Sequence, residues 1–352
     1  MKKTLSILLA VVLILSLLGA CAKPAAPETD PRVFVDSCGR EVVLPAEITR
    51  IAPSGLVAQM ILTSLAPETL VGLSNPVGER QLTYLPAFFA DLPVFGQFYG
   101  KNAALNLEEL LASEPQIIID MGDYKASQKE DMDGLQAQTG LPTIFIEATL
   151  GSFSDAYLEL GALLGLEDEA ALLASYIANA MDLAHGISAR IPEGERLCVM
   201  YGTSETGLAV NAKGSLHAEV IELVGAENAV EVPPGELSSK GGGNVINLEE
   251  FLLLDPDVIL LAEGAIAAAL RQDPLWAQLS AVQNDRVYQI PEAPYGWLAN
   301  PPSVNRVLGI YWLGNLLYPD YYDVNIVEEI KLFYRLFWHY ELTDAEVAAF
   351  LR

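Results

Sequence analysis

From residue 32 onward, short runs of β-branched and aliphatic residues alternate with segments whose apolar positions recur every three or four residues. Residues 32–45 (RVFVDSCGREVVLP) read as two short strands around a Cys-Gly turn. Strands are then expected over 49–53, 70–74, 93–98, 115–121 and 142–148, with helices such as 105–113 and 126–138 between them. This is the pattern of βα units on a mostly parallel sheet. It stops near Gly151. Between Phe153 and Arg190 there is no strand signal, and Glu169–Ile187 carries Leu172, Tyr176, Ile177, Met181 and Leu183 at roughly helical spacing, which predicts one long helix. Beyond Pro192 the alternation resumes, with strands expected at 196–202, 228–232, 256–262 and 286–291, and the tail from 303 onward is helical and rich in aromatics. The expected fold is therefore α/β: a first lobe over 32–152, a linker helix region over 153–191 and a second lobe over 192–352, with mostly parallel central sheets joined by one long, rigid helix.

The two lobes echo one another. Residues 106–115 read NLEELLASEP and residues 247–256 read NLEEFLLLDP, and each stretch is followed by a buried-strand run. The Asn pair and the Pro pair are both 141 residues apart, so helix and strand keep register. In each copy the Asn suits the N-cap and the second glutamate (Glu109, Glu250) suits the reciprocal partner of a capping box. That leaves Glu108 and Glu249 free to face solvent at the helix N-terminus, where negative charge is favourable in any case.

Before residue 32 the pattern changes. Lys2 and Lys3 precede an apolar run from Leu5 to Ala20, which reads as a secretory signal over 1–20. The run closes as Leu18-Gly19-Ala20-Cys21, similar to a bacterial lipobox, in which the cysteine becomes the lipid-modified first residue. Residues 21–31 then form a Pro/Ala-rich tether. The other cysteines, Cys38 and Cys198, fall in different lobes and are expected as free thiols. The chain carries 46 Asp+Glu against 20 Lys+Arg, a formal charge of −26, which excludes nucleic acid as a partner because phosphate binding needs clustered cations. With 51% hydrophobic residues it is too apolar for an acidic disordered protein.

The order of motifs resembles the substrate-binding proteins of ABC importers for iron-siderophore, haem and cobalamin. The resemblance spans roughly 32–350 and rests on Asp36-Ser-Cys-Gly-Arg-Glu-Val-Val-Leu-Pro45, Arg50-Ile-Ala-Pro53, both NLEE…P segments, Gly225-Ala-Glu-Asn228, and Pro294-Tyr-Gly-Trp-Leu-Ala-Asn-Pro-Pro-Ser-Val-Asn-Arg306 with the following YWLGNLLYP. It implies a monomeric lipoprotein on the outer face of the cell membrane, working with a permease dimer and its ATPase subunits. It also implies that one glutamate on each lobe, here Glu108 and Glu249, docks onto permease arginines, and that the ligand lies in a cleft between the lobes.

Ligands of open α/β sheets bind beyond the carboxyl ends of strands. The resemblance then marks loops bearing Ser54, Tyr99 and Tyr124 on the first lobe, and Tyr201, Lys240, Tyr295, Trp297 and Arg306 on the second. Aromatic faces suit a flat or bulky chelate, and Lys240, Arg306 and Arg80 suit carboxylates or an oxyanion. Packing alone is the alternative reading for Tyr295 and Trp297, and a structural ion pair for Arg306. The histidines are His185, His217 and His339, with no clustered metal-ligand spacing. Any metal is thus expected to arrive wrapped as a siderophore, haem or corrinoid, with no resident cofactor. Molybdate or tungstate on the same fold, and a structural or adhesive surface lipoprotein, are the alternatives. An enzyme is disfavoured: there is no Gly-x-x-x-x-Gly-Lys-Ser/Thr and no His-Glu-x-x-His, and Gly202–Gly207 has one residue too many for a nucleophile elbow.

Overall fold

Residues 32–44 form the expected hairpin, because Asp36 closes its turn. The Asp36 carboxylate accepts the backbone N–H groups of Cys38 (3.0 Å) and Arg40 (2.9 Å) and pairs with the Arg40 guanidinium at 3.0 Å. Strands β1 (Arg32–Val35) and β2 (Glu41–Leu44) are antiparallel, with Val33 opposite Val43. The N–H of Ser37 donates to the carbonyl of Phe145, which ties the hairpin to the first lobe's sheet. The computed structural model describes residues 31–100, 103–238, 243–262 and 267–351.

The first sheet is parallel, in the order β3 (Ile51–Pro53), β4 (Ile117–Gly122), β5 (Thr143–Glu147). Two strands expected at its edge, 70–74 and 93–98, shrink to single parallel bridges, Ile51 with Leu70 and Leu73 with Val94. Pro93 supplies no ladder N–H there, and Gly72 lies so close under Phe95 that a side chain would enter the ring. The second sheet contains β6 (Cys198–Thr203), β7 (Ala209–Val210), β8 (Glu227–Asn228), β9 (Asn244–Val245), β10 (Val258–Leu261) and β11 (Val287–Gln289). Its order is β11-β10-β6-β7-β9, with β8 also on β6. The β11, β10, β6 and β8 pairings are parallel, whereas β7 and β9 add an antiparallel edge.

Alternate residues along each central strand serve different cores. Ile117, Ile119 and Met121 face a core shared by both lobes, and Ile118 faces a cluster private to the first lobe. On the second sheet Val258 and Leu260 face the shared core, and Ile259 and Leu261 a private cluster. Strands buried on both faces read as unbroken apolar runs, which is why the sequence shows them so clearly.

The linker region is a pair of helices, Phe153–Leu164 and Glu167–Ser188, broken at Gly165 in the left-handed region (φ 70°). The long helix buries Ala170, Ala174, Ala180 and Ala184 together with Leu173, Tyr176, Ile177 and Ile187, while Leu172 is 63% exposed. A methyl on Gly161 would meet the Ala170 Cβ at 2.3 Å, so small side chains let the two helices approach closely. The tail forms helices Asn305–Leu317, Ile326–Phe337 and Asp344–Phe350. It returns to the first lobe: His339 Nε2 lies 3.2 Å from the Thr63 carbonyl, and the Tyr84 ring packs on Tyr334 and Tyr340. No helix among the described residues is long and apolar enough to cross a membrane.

Candidate functional site

Two cavities open between the lobes at the carboxyl ends of the strands. One, of about 390 Å³, has Ser54, Val57, Tyr99, Asp123 and Lys125 on its first-lobe wall, and Leu216, His217 and Pro302 on the other. The second, of about 310 Å³, lies between Asn75, Arg80 and Gln81 on one side and Glu292, Tyr295 and Asn300 on the other. Leu56, at the head of the Leu56–Leu65 helix, borders both.

The floor of the larger cavity is a polar network. Asp120, buried on β4, accepts from the hydroxyls of Ser54 and Tyr99 and from Gln128 Nε2 at 2.6 Å. Burial pushes the Asp120 carboxyl up, opposed by these three hydrogen bonds and by Lys125. The Tyr99 hydroxyl donates to Asp120 and accepts from Gln128 Nε2 at 2.9 Å, so its polar end is engaged. Burial and Asp120 together push its ionisation far above the usual range. Tyr99 therefore offers the cleft a ring, with Lys125 Nζ 5.8 Å from its centroid, and not a phenolate.

The opposite wall carries His217. Its Nδ1 lies 3.1 Å from the Ala299 carbonyl, which only accepts, so Nδ1 bears the proton and Nε2 holds the lone pair. Burial lowers the His217 pKa, Arg306 lowers it further, and the Ala299 carbonyl and Asp123 oppose the shift. The result is a neutral imidazole in a cavity wall, oriented by a backbone carbonyl, which is how proteins present histidine to a metal.

Of the residues singled out in the sequence, Ser54 and Tyr99 line the larger cavity and Tyr295 the smaller. Tyr124 is 48% exposed, packs edge-on to Phe145 and lines neither cavity. Tyr201 on β6 points into the shared core, and Trp297 is buried against Trp312 and Phe350. Their strand or loop positions were legible, but not the face they present. Arg306 is buried and pairs with Glu219 at 2.6 Å. Lys240 and Cys21 lie outside the described residues. Cys38 and Cys198 are both free thiols.

Glu108 and Glu249 are exposed in the first turns of helices Leu107–Ala112 and Leu248–Leu254. Asn106 and Asn247 cap these helices, but the reciprocal capping box closes only at Asn247 with Glu250. Each helix joins by a short turn the strand it packs on, Leu110 beside Ile118 and Phe251 beside Ile259, and so runs antiparallel to it. Both glutamates consequently lie at the strand-carboxyl end of their sheets, the end where the cavities open.

Asp120, Gln128 and His217 were not among the sequence candidates. A lone Asp inside the run Ile117–Met121 was the available signal for the first, since buried carboxylates need partners. Nothing local marks His217, whose partner Ala299 lies 82 residues away. Among the described residues no group of three or more His, Cys, Asp or Glu side chains is placed to hold a metal ion.

A family model described as periplasmic binding protein matches residues 97–294. A high-affinity heme uptake system protein, IsdE of Staphylococcus aureus, is 21% identical over 263 residues, 72% of this chain and 84% of its own length. An ABC transporter solute binding protein from Sulfurospirillum deleyianum superposes with a TM-score of 0.82 at 29% identity, over 91% of this chain and 98% of that one. The molybdate-bound MolA of Haemophilus influenzae, at 19% identity, TM-score 0.69 and 89% and 99% coverage, shares the fold.

Proposed function

The chain belongs to the periplasmic binding protein family as an extracytoplasmic solute-binding protein of an ABC transporter, and from that premise we propose that its cargo is an iron or cobalt complex with an open coordination position. Haem or a corrinoid fits this description directly, and a ferric siderophore only if its chelation is incomplete. The observation that carries this reading is His217, a neutral imidazole fixed through Nδ1 on a cavity wall, facing a cleft whose other wall offers the Tyr99 ring. One nitrogen donor cannot hold a bare cation, but it can complete the coordination of a metal that arrives in a chelate. The relative named for heme uptake supports the haem version.

Capture and delivery follow from the architecture. The lobes share one continuous core through the paired linker helices and the returning tail, which favours small hinge movements over wide opening. Glu108 and Glu249, presented at equivalent ends of the two sheets, would dock on cations of a membrane permease, and charge complementarity would set orientation and speed the encounter. Lipid attachment at Cys21 would hold the protein at the outer membrane face, with ATP hydrolysis left to partner subunits.

The test is titration of the purified protein with ferric protoporphyrin, cobalamin, ferric siderophores and molybdate, read by thermal shift and absorbance. A stoichiometric complex with an imidazole-ligated spectrum, lost in His217→Ala, is expected. Binding of molybdate alone, or binding of every chelate unaltered in His217→Ala, would refute the reading.

A further inference from the structure

Arg306 lies under the second-lobe wall yet lines neither cavity. Its Nη1 donates to Glu219 Oε2 at 2.6 Å and to the Leu216 carbonyl at 3.3 Å, so one nitrogen grips the chain on both sides of His217. The guanidinium also lies 5.7 Å from the centroid of Phe153, the first residue of the linker helices.

The same segment holds the imidazole from the other side. Ala299, whose carbonyl fixes His217 Nδ1, belongs to the loop leading into the Arg306 helix. Asn305 staples this loop, donating from Nδ2 to the carbonyls of Gly296 and Pro301 and accepting the Ser303 N–H at 3.2 Å. His217 is thus held at its backbone by Arg306 and at its ring by Ala299.

Arg306 is an expensive residue at this place if stability were its only effect. It is 1% exposed, its partner Glu219 is 45% exposed, and its buried Nε has no hydrogen-bond partner among the described residues. A buried cation so incompletely matched stabilises less than an apolar side chain of its size would. Its geometry, however, spans Leu216 to Glu219 in a way no apolar residue can.

We propose that Arg306 is the positioning residue for His217, fixing the 216–219 turn so that the imidazole is presented to the cleft in one orientation. The inference rests on the reading of His217 as the donor to the ligand, and Arg306 acts through His217 without touching the ligand.

The test compares Arg306→Met, Arg306→Lys and His217→Ala in the full chain, with far-UV circular dichroism as the check on folding. In ligand-free protein, NMR of the histidine ring protons should show Arg306→Met moving His217 while His185 stays in place. With ferric protoporphyrin as probe, Arg306→Met should lose the imidazole-ligated spectrum and bind about tenfold more weakly, the scale of lost support behind a ligand. Arg306→Lys, whose single ammonium can donate to both Glu219 and the Leu216 carbonyl but on a shorter side chain, should recover part of each signal. A folded Arg306→Met with the wild-type His217 resonance and spectrum would overturn the proposal. A moved resonance together with a His217→Ala spectrum equal to wild type would uphold the positioning role and overturn the reading of His217 as donor. Should Arg306→Met not fold, Glu219→Ala, which removes the acceptor, serves: a displaced His217 resonance supports the proposal and an unmoved one refutes it.

Discussion

Replacing Asp120 by Asn isolates the network under the cleft. In the wild type one carboxylate accepts three hydrogen bonds, from Ser54, Tyr99 and Gln128, while Gln128 Oε1 is buried without a partner among the described residues. An Asn with its oxygen toward Ser54 keeps that bond, and its Nδ2 donates toward Gln128 once the Gln128 amide turns over to present Oε1. Tyr99 then donates to the same Gln128 oxygen, and the turned Gln128 Nε2 takes the buried place where Oε1 had no partner among the described residues. The buried charge is gone but a buried amide donor is left without a partner, so the two effects offset and Asp120→Asn should change stability at pH 7 by less than about 1 kcal/mol. Asp120→Ala removes the only acceptor of the Ser54 hydroxyl and two bonds besides, and should cost about 2–4 kcal/mol. The pH dependence gives the sharper check. Because burial raises the folded pKa of Asp120 above its ordinary value of 3.8, the folded state keeps the proton longer than the unfolded chain. Wild-type stability therefore falls as pH rises from about 4 and levels off above the folded pKa, a slope absent from Asp120→Asn. The stability difference should grow with pH to a plateau whose height reads the shift at about 1.4 kcal/mol per pH unit. Urea unfolding from pH 4 to 8 measures it, followed by circular dichroism, because all four tryptophans lie between residues 276 and 338, outside the first lobe. Parallel pH profiles for the two proteins would refute the argument.

Four further predictions follow from other parts of the fold. Glu108→Ala with Glu249→Ala should leave ligand affinity unchanged and abolish ligand-stimulated transport in liposomes bearing the cognate permease; a matching loss of affinity would show that the carboxylates serve the cleft. Gly72→Ala places a methyl 2.1 Å from the Phe95 ring and should cost about 1–3 kcal/mol in urea unfolding. Asn247→Ala, which opens a closed capping box, should cost about 1 kcal/mol and more than Asn106→Ala, whose box is open. Burial raises the Cys38 thiol to about 11 from 9.0, so its thiolate fraction at pH 8 is roughly a hundredfold below that of an unperturbed thiol; peptide mapping after iodoacetamide should find it slow to alkylate.

The bilobal α/β plan was legible because strands buried on both faces appear as runs such as Ile117–Met121 and Val258–Leu261, and turns and caps announce their borders. The edge of the first sheet was not: 70–74 and 93–98 have strand composition, but Gly72 and Pro93 leave only isolated bridges. Ser54 and Tyr99 line the larger cavity from clear strand ends, whereas Tyr124, two residues past its strand, lines neither cavity. On the second lobe Tyr201 and Trp297 carry the expected chemistry in the expected segments, yet face the shared core.

What the sequence determined by itself is local: strand and helix periods, the capped NLEE helices with their exposed glutamates, and the apolar run Leu5–Ala20 before Cys21. These depend on neighbours within a few residues, so spacing alone carries them. The cleft's chemistry was decided only by the tertiary structure. Asp120 meets Ser54 across 66 positions, His217 meets Ala299 across 82, and Arg306 meets Glu219 across 87. Whether each is a surface charge, a core residue or part of the site depends on which remote groups the fold brings within hydrogen-bond range, and no periodicity along the chain encodes that.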